Sequence, residues 1–408
     1  MSHQTDMSDP SKDSETCLED PKEPCLSPSN EDSGNWLEPS DLHDDVLPLN
    51  VENTYMRLHT RYAGDLCQNW IEETEPAKHA YKDIYLAAFL IELWRNMYGV
   101  NPATQTSDDE ADTTRFPGFV DIACGSGVLV YVLLMEGYSG HGIDARRRKT
   151  WDIFPAWIRE RLAERIFVPR PFADVLEADG LGVDTCTGDF PRDTFIISSH
   201  ADELTVWTPL VAALACPASP LPFLIIPCCS HSLSGARYRY PAPMDDESNN
   251  FRGKISAESS QEPGNYIAQP ASGDLKALRA AKAKEKTEEG MLTSMYGSLT
   301  AKTVSIAEEV GYQVESTVLP IPCSIRNAAI VGGRLAVAHY WKSRAQIGGG
   351  MMKEPASDAT ENQELVQTVN AIVERECSKD GGTLAAASAW AEHARVLHEG
   401  QETGIPPH

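Results

Sequence analysis

No run of about 18 apolar residues occurs in the chain, so no helix is expected to cross a membrane. No basic stretch leads into an apolar one near the start, and no targeting segment is expected. The 10 cysteines include no C-x-x-C pair and follow no framework spacing, which argues against a structural zinc site or a disulfide scaffold. Cys124, Cys228 and Cys229 lie in or beside apolar runs. They read as reduced thiols of an intracellular, cytoplasmic protein, and no metal is expected. No internal repeat is visible. Glycine and proline, at 28 and 27 residues, are close to their ordinary share, which excludes collagen-like, mucin-like and coiled-coil classes. Basic residues are scarce: 35 Lys and Arg stand against 60 Asp and Glu, a net charge of −25. Phosphate binding needs clustered cations, so this total argues at first sight against a nucleic-acid partner.

The charge is unevenly spread. Residues 1–50 carry 13 acids against two lysines, net −11, in a Ser-, Asp- and Pro-rich segment with almost no apolar periodicity. Such a composition cannot offset the entropy of ordering, so a disordered acidic tail is expected. Residues 343–408 hold 10 acids and 5 bases, which leaves −9 for residues 51–342. That middle, long enough to bury a proper core, is where chemistry is expected.

Along the middle, strands alternate with helices. Residues 51–99 read as helical, with Gly99 as a stop. Residues 101–115 are polar and acidic, a loop. Gly118–Ile122, His141–Asp144 and Phe195–Ser198 read as strands; Leu221–Pro227 is a continuous apolar run, as in a buried parallel strand. Val128–Glu136, Thr205–Cys216 and Ser298–Val310 read as helices, and Thr317–Leu319, Ala328–Val331 and Leu335–His339 as late strands. Residues 241–290 form an insertion, first rich in Pro, Ser, Asn and Gly and then a basic, Ala-rich helix. The class is α/β with a mostly parallel sheet. The tail 343–408 offers helices at 361–376 and 384–398 and is expected as a loosely packed, partly disordered extension.

The sharpest signal is Asp121-Ile122-Ala123-Cys124-Gly125-Ser126-Gly127, a strand, a turn and the start of a helix. Gly125 and Gly127 allow a sharp turn and close approach of backbone to ligand. The following helix aims free N–H groups into the same space. Asp144, 23 residues after Asp121 at the end of the next strand, is placed to accept both hydroxyls of a ribose. The dinucleotide fingerprint asks for a third glycine where Val130 stands. An acid at Asp121 also fits badly beside a pyrophosphate, and fits the cationic amino-acid end of S-adenosylmethionine.

His200-Ala201-Asp202-Glu203 follows an interior strand, where polar residues line the crevice of an α/β sheet. Glu203 reads as a helix cap, Asp202 and His200 as site residues. Pro227-Cys228-Cys229-Ser230-His231 follows the apolar strand and reads as a pocket wall; buried small residues, a metal site and a nucleophilic Cys compete with that reading. Basic residues gather at Arg146 to Lys149 ahead of Trp151 and Trp157, at Arg237 and Arg239 beside Tyr238 and Tyr240, and from Lys276 to Lys286. Cations interleaved with aromatics suit phosphate contacts and base stacking, although a solvated face or structural ion pairs would look the same.

These residues resemble the tRNA (uracil-2′-O-)-methyltransferase family. Tyr81-Lys82-Asp83-Ile84 through Leu93-Trp94 is similar to its helix ahead of the cofactor strand. Phe119 to Gly127 is similar to D-x-G-C-G-x-G, with Ala123 at the first glycine. Glu136 to Trp151 resembles E-G-Y-x-G-x-G-I-D-x-R-x-R-x-x-W, and His200 to Trp207 resembles H-x-D-E-L-T-x-W. Pro227-Cys228-Cys229 resembles P-C-C, and Leu319 to Asn327 resembles L-R-I-P-S-T-R-N, with Pro320 at the arginine and Cys323 one residue early. The six motifs span roughly residues 75–340.

The resemblance implies a class I methyltransferase, a Rossmann-like sheet with helices on both faces, over residues 51–342. It implies S-adenosylmethionine as cofactor, held by Asp121, Cys124, Gly125, Gly127 and Asp144. The substrate it implies is tRNA, by family uridine 44 of serine tRNA, methylated on the ribose 2′-hydroxyl; no DNA or membrane partner is expected. A general base is expected at Asp202, with His200 second. A small-molecule methyltransferase, a nicotinamide-dependent dehydrogenase and an inactive RNA-binding relative are the alternatives.

Overall fold

The computed structural model describes residues 50–102, 116–176, 184–241, 294–322, 326–346 and 359–398. The expected acidic tail before Asn50, the insertion after Pro241 with its basic helix, and Cys323 lie outside the described residues, as does most of the 101–115 loop.

The long helical stretch is two helices, α1 (Val51–Gln68) and α2 (Pro76–Tyr98). Pro76 restarts the chain because the residue before a proline is forced out of the helical region, and Glu75 has ψ 115°. Gly99, at φ 68°, ends α2 with a left-handed cap. Then follow β1 (Phe119–Asp121), α3 (Val128–Met135), β2 (Gly140–Asp144), α4 (Ala156–Arg159) and β3 (Leu162–Glu164). Next come β4 (Ile166–Phe167), α5 (Arg170–Ala173), β5 (Thr185–Cys186), β6 (Phe195–Ser199), α6 (Leu204–Ala215) and β7 (Phe223–Ile226). The last group is α7 (Met295–Glu309), β8 (Val314–Val318), β9 (Ala328–Gly332), α8 (Arg334–Gln346), α9 (Ala359–Cys377) and α10 (Thr383–His398).

Seven strands form one sheet in the order β3-β2-β1-β6-β7-β9-β8. The first five run parallel, and β9 lies antiparallel to both β7 and β8. That antiparallel strand, slotted between β7 and the edge, separates this sheet from the all-parallel dinucleotide order. The fold is the Rossmann-like α/β sheet of class I methyltransferases, with helices on both faces.

Strand side chains alternate, so one strand feeds two cores. Phe195 and Ile197 of β6, with Leu224 and Ile226 of β7, pack towards α1, α2 and α3. Ile196, Phe223 and Ile225 pack on the other face with α6, α7, α9 and α10.

Two expectations are corrected. Leu335–His339 is not a strand but lies in α8. Its apolar run is nearly continuous, yet Leu335 is 37% exposed while Ala338 and Trp341, three residues apart, are buried against the core. The burial therefore follows a helical period. The C-terminal helices are likewise no loose appendage. Val369, Ile372 and Cys377 of α9, with Ala386, Ala387 and Trp390 of α10, are buried in the same core as α6. Lys302 of α7 pairs with Glu376 at 2.7 Å, and the Trp390 indole N–H donates to the Phe167 carbonyl at 2.8 Å.

Trp390 meets Phe172 and Trp207 edge-on, so it anchors α10 to α5 and α6. Trp390→Ala is expected to cost about 3–5 kcal/mol, read as a fall in the urea midpoint. An unchanged midpoint would mean that α10 contributes no packing. Among the described residues no helix is long and apolar enough to cross a membrane.

Candidate active site

β1 has β2 on one side and β6 on the other, so the chain changes direction there. A crevice opens at such a switch point, at the carboxyl ends of the strands. Asp121 and Asp144 close β1 and β2; His200 and Cys228 follow β6 and β7.

The loop after β1 holds Gly125 at φ 51° and Gly127 at φ 76°, both left-handed. A Cβ at Gly127 would sit 3.0 Å from Leu162 and 3.2 Å from Phe154 and Trp151, so packing requires glycine there. A Cβ at Gly125 would meet nothing within 4 Å; that glycine borders open space. Asp144 pins the loop: it accepts the Gly125 amide at 2.8 Å and the Arg146 amide at 3.0 Å. Trp151, fully buried, donates its indole N–H to the Gly125 carbonyl at 2.9 Å. Cys124 is tied by its amide to Ile143 at 3.0 Å, its thiol lies against Gly142, and burial pushes that thiol well up.

Asp121 is 2% exposed, and its Oδ1 has no hydrogen-bond partner. Burial, with Asp83 and Asp144 near, pushes its carboxyl up to about 8. Asp83 lies on α2, accepts the Ser126 hydroxyl at 3.4 Å and faces Lys82 at 3.9 Å. Sequence reasoning did not place Asp83 or Lys82 in the site. The available signal was a charged pair heading the apolar face that runs from Ile84 to Trp94.

Asp121 sets a pH dependence. Folded, it keeps its proton to about pH 8; unfolded, a carboxyl releases it near pH 4. Between those values the folded state holds the extra proton, so this group's contribution to stability falls as pH rises. A cation beside it favours the ionised form. Affinity for a cationic ligand is therefore expected to rise from pH 6 to pH 8 and to flatten in Asp121→Asn, as calorimetric titration would read. A slope that survives in Asp121→Asn would assign it to another group.

Across the crevice the His200-Ala201-Asp202 turn is strained, with φ 53° at His200 and 44° at Asp202. Non-glycine residues in this region are uncommon and gather at functional sites. Burial, with Lys82, Arg326 and His79 around it, pushes His200 down to about 3, so it is neutral at ordinary pH. Its Nε2 is buried without a hydrogen-bond partner. The Cys228 thiol donates to Asp202 Oδ1 at 2.9 Å, and Arg326 Nη1 donates to Cys229 Sγ at 3.5 Å. The ligating atoms of Asp202, Cys228 and Cys229 lie within 4.8 Å of one another. Arg326 is the arginine of the last family motif and was not singled out from sequence.

The two thiols are held oppositely. Hydrogen bonding with Cys229, burial and Asp202 raise Cys228. The neighbouring Cys228 thiol, helped by Arg326, lowers Cys229. Thiolates are the reactive form. Iodoacetamide at pH 7 is expected to label Cys229 before Cys228, as peptide mass spectrometry would show. Equal or reversed labelling would contradict the arrangement.

Glu203 departs from its expected role. It starts α6, but its carboxylate makes no cap hydrogen bond. It lies 3.7 Å from His393 Nε2 of α10 instead.

The basic clusters divide. Arg148 lies 4.0 Å from Asp144, and Arg147 pairs with Asp152. Tyr240 is buried, and Lys379 sits over Tyr238 at 3.5 Å. Trp157, 49% exposed, with exposed Lys149, Arg237 and Arg239, remains open to a partner. Lys276 to Lys286 lies outside the described residues.

Residues 49–169 match a family model described as predicted AdoMet-dependent methyltransferase. A tRNA (uracil-O(2)-)-methyltransferase of Aspergillus oryzae is 53% identical over 371 residues, 88% of this chain and 56% of that protein. The chain belongs to the AdoMet-dependent methyltransferase family. Proteins of the same name from Neurospora crassa and Saccharomyces cerevisiae are 37% and 32% identical over 302 and 339 residues. Those matches span 71% and 74% of this chain, and 48% and 50% of the two relatives. The chain thus spans about half the length of the curated relatives it matches.

The methyl donor of AdoMet-dependent methyltransferases is S-adenosylmethionine. The crevice fits it chemically. Its cationic end suits a buried carboxyl with an unsatisfied oxygen, as at Asp121, which a cation would ionise, and open backbone, as at Gly125.

Proposed function

We propose that the chain transfers a methyl group from S-adenosylmethionine to the ribose 2′-hydroxyl of a uridine in tRNA. The supporting observation is the crevice itself. The acids Asp121 and Asp144 line one wall, and across from them Asp202 shares its turn with His200, around which Lys82, His79 and Arg326 gather. The names of the relatives point the same way. On this reading residues 51–342 are the catalytic domain, with the 241–290 insertion, and 343–408 an extension whose helices pack on it. The finer assignment, uridine 44 of serine tRNA, follows the family resemblance.

Asp121 faces the donor's cationic end, Asp144 its ribose, and Gly125 and Gly127 give the backbone room. Cys124 holds the loop to β2 from below. The bound donor supplies an electrophilic methyl on a sulfonium. The chain's part is to align the hydroxyl with it and to take the hydroxyl proton. His200, neutral, accepts a hydrogen bond, and Asp202 takes the proton. The cations near His200 suit the phosphates on either side of the target ribose.

A net charge of −25 opposes bulk attraction to RNA. Recognition then rests on tRNA shape and on the exposed residues around Trp157 and Arg237, and binding weakens steeply with salt. The test is incubation with unmodified total tRNA and methyl-labelled S-adenosylmethionine, followed by mapping of the labelled nucleotide. Label on a uridine ribose supports the reading; label in no tRNA sinks it.

A further inference from the structure

We propose that Glu203 and His393 form a proton-sharing pair on the protein side of the acceptor site, which makes helix α10 part of the active site. The inference rests on the methyltransferase reading above, and it uses residues which that reading leaves idle.

The geometry comes first. Glu203 follows Asp202 directly and stands at the mouth of α6, where a helix start needs a capping side chain. It makes no cap hydrogen bond. Its carboxylate turns to α10, where His393 Nε2 lies 3.7 Å from Oε1. Nothing about that approach is accidental to the packing. Trp390, one helical turn before His393, is buried and hydrogen-bonded to Phe167, and Gly235 lies under both side chains. Gly235 is left-handed, at φ 82°, and a Cβ there would stand 3.4 Å from Trp390 and 3.7 Å from His393.

The electrostatic setting is that of a titrating pair. Around Glu203 stand Asp202 of its own turn, Asp144 of β2 and Cys229 after β7, all of which disfavour its charge. Burial adds to them and pushes the Glu203 carboxyl up to about 7. Around His393 stand Glu203, Asp202 and His231; burial lowers the imidazole, and Asp202 works against that. A carboxyl raised to about 7 and an imidazole lowered by burial, 3.7 Å apart, are placed to pass one proton between them.

Methyl transfer to a hydroxyl releases one proton. The O–H bond breaks, the new O–CH3 bond forms, the S–CH3 bond breaks, and the proton goes to a base. A seated tRNA covers the open side of Asp202. Glu203 then receives the proton from Asp202, and His393, whose side chain is 34% exposed, passes it to water. His393 acts through Glu203 and Asp202, so it is a positioning residue.

The test uses the full chain in two measurements. The first is the pH–rate profile of methyl transfer to unmodified tRNA for wild type, Glu203→Gln and His393→Asn. A pair predicts an acidic limb near pH 7 in the wild type, about a tenfold or larger loss of kcat in Glu203→Gln, and a displaced limb in His393→Asn. S-adenosylmethionine affinity should stay within about twofold in both variants, since the strand-end acids are untouched. The second is a carbon-13 NMR titration of the Glu203 carboxyl, read in wild type and in His393→Asn without tRNA. A shifted titration supports the pair, and an identical one overturns it whatever the enzyme acts on. An active wild type whose profile His393→Asn reproduces also overturns it. A wild type inactive on tRNA, with the NMR coupling intact, sinks the substrate reading and leaves the pair standing.

Discussion

Asp144→Ala is expected to weaken S-adenosylmethionine binding by about 100-fold or more. The carboxylate makes two hydrogen bonds to backbone amides, at 2.8 Å to Gly125 and 3.0 Å to Arg146. Hydrogen bonds to a charged group contribute about 1.5–3 kcal/mol each, and here they hold a loop whose glycine borders open space. Removing the carboxylate therefore acts twice. It deletes the acid proposed to face the donor's ribose, and it frees the Gly125 loop, which is otherwise tied through Trp151 and Cys124. Asp144→Asn separates the two effects. Its Oδ1 can still accept one amide, so most of the loop should hold while the charge is lost. An affinity in Asp144→Ala equal to that of wild type, measured by calorimetry at pH 8, would remove Asp144 from the cofactor wall.

The parts legible from sequence are those in which one local pattern carries the message. β1, β2, β6 and β7 appear as short apolar runs ended by polar residues, and they bring Asp121, Asp144, His200 and Cys228 to one edge of the sheet. The glycine turn announces itself through Gly125 and Gly127. What was hidden depends on distance along the chain. Asp83 meets Ser126 across 43 residues, and Arg326 meets Cys229 across 97. No periodicity encodes such pairs. β3, β4 and β5, at three, two and two residues, are too short for alternation to show. The C-terminal helices misled for another reason. The buried face of α10 is built from Ala386, Ala387 and Ala394 around one Trp390, so its composition looks weakly apolar although the packing is tight. Leu335–His339 failed because a run in which every residue but one is apolar fits both periods, and only Ala338 and Trp341 against the core decide for helix.

Asp202→Asn is expected to lower the methyl-transfer rate by about 10²–10⁴-fold, with cofactor affinity close to wild type. The substitution isolates proton transfer better than removal of the side chain would. Asp202 sits at φ 44°, a conformation that asparagine tolerates well, so the turn survives. The amide oxygen can still accept the Cys228 thiol that now donates to Oδ1 at 2.9 Å, so the wall beside it keeps its hydrogen bond. Asp121 and Asp144, the proposed donor wall, are untouched. What the amide cannot do is take a proton from a ribose hydroxyl. His200 offers little substitute, because burial among cations holds it at about 3 and it is neutral throughout the working range. The loss should therefore not be rescued by lowering the pH. Raising the pH should restore part of the rate, because hydroxide can then take the proton. Asp202→Asn with full turnover and an unchanged pH profile would mean that alignment alone drives the transfer and that the proton leaves by another group.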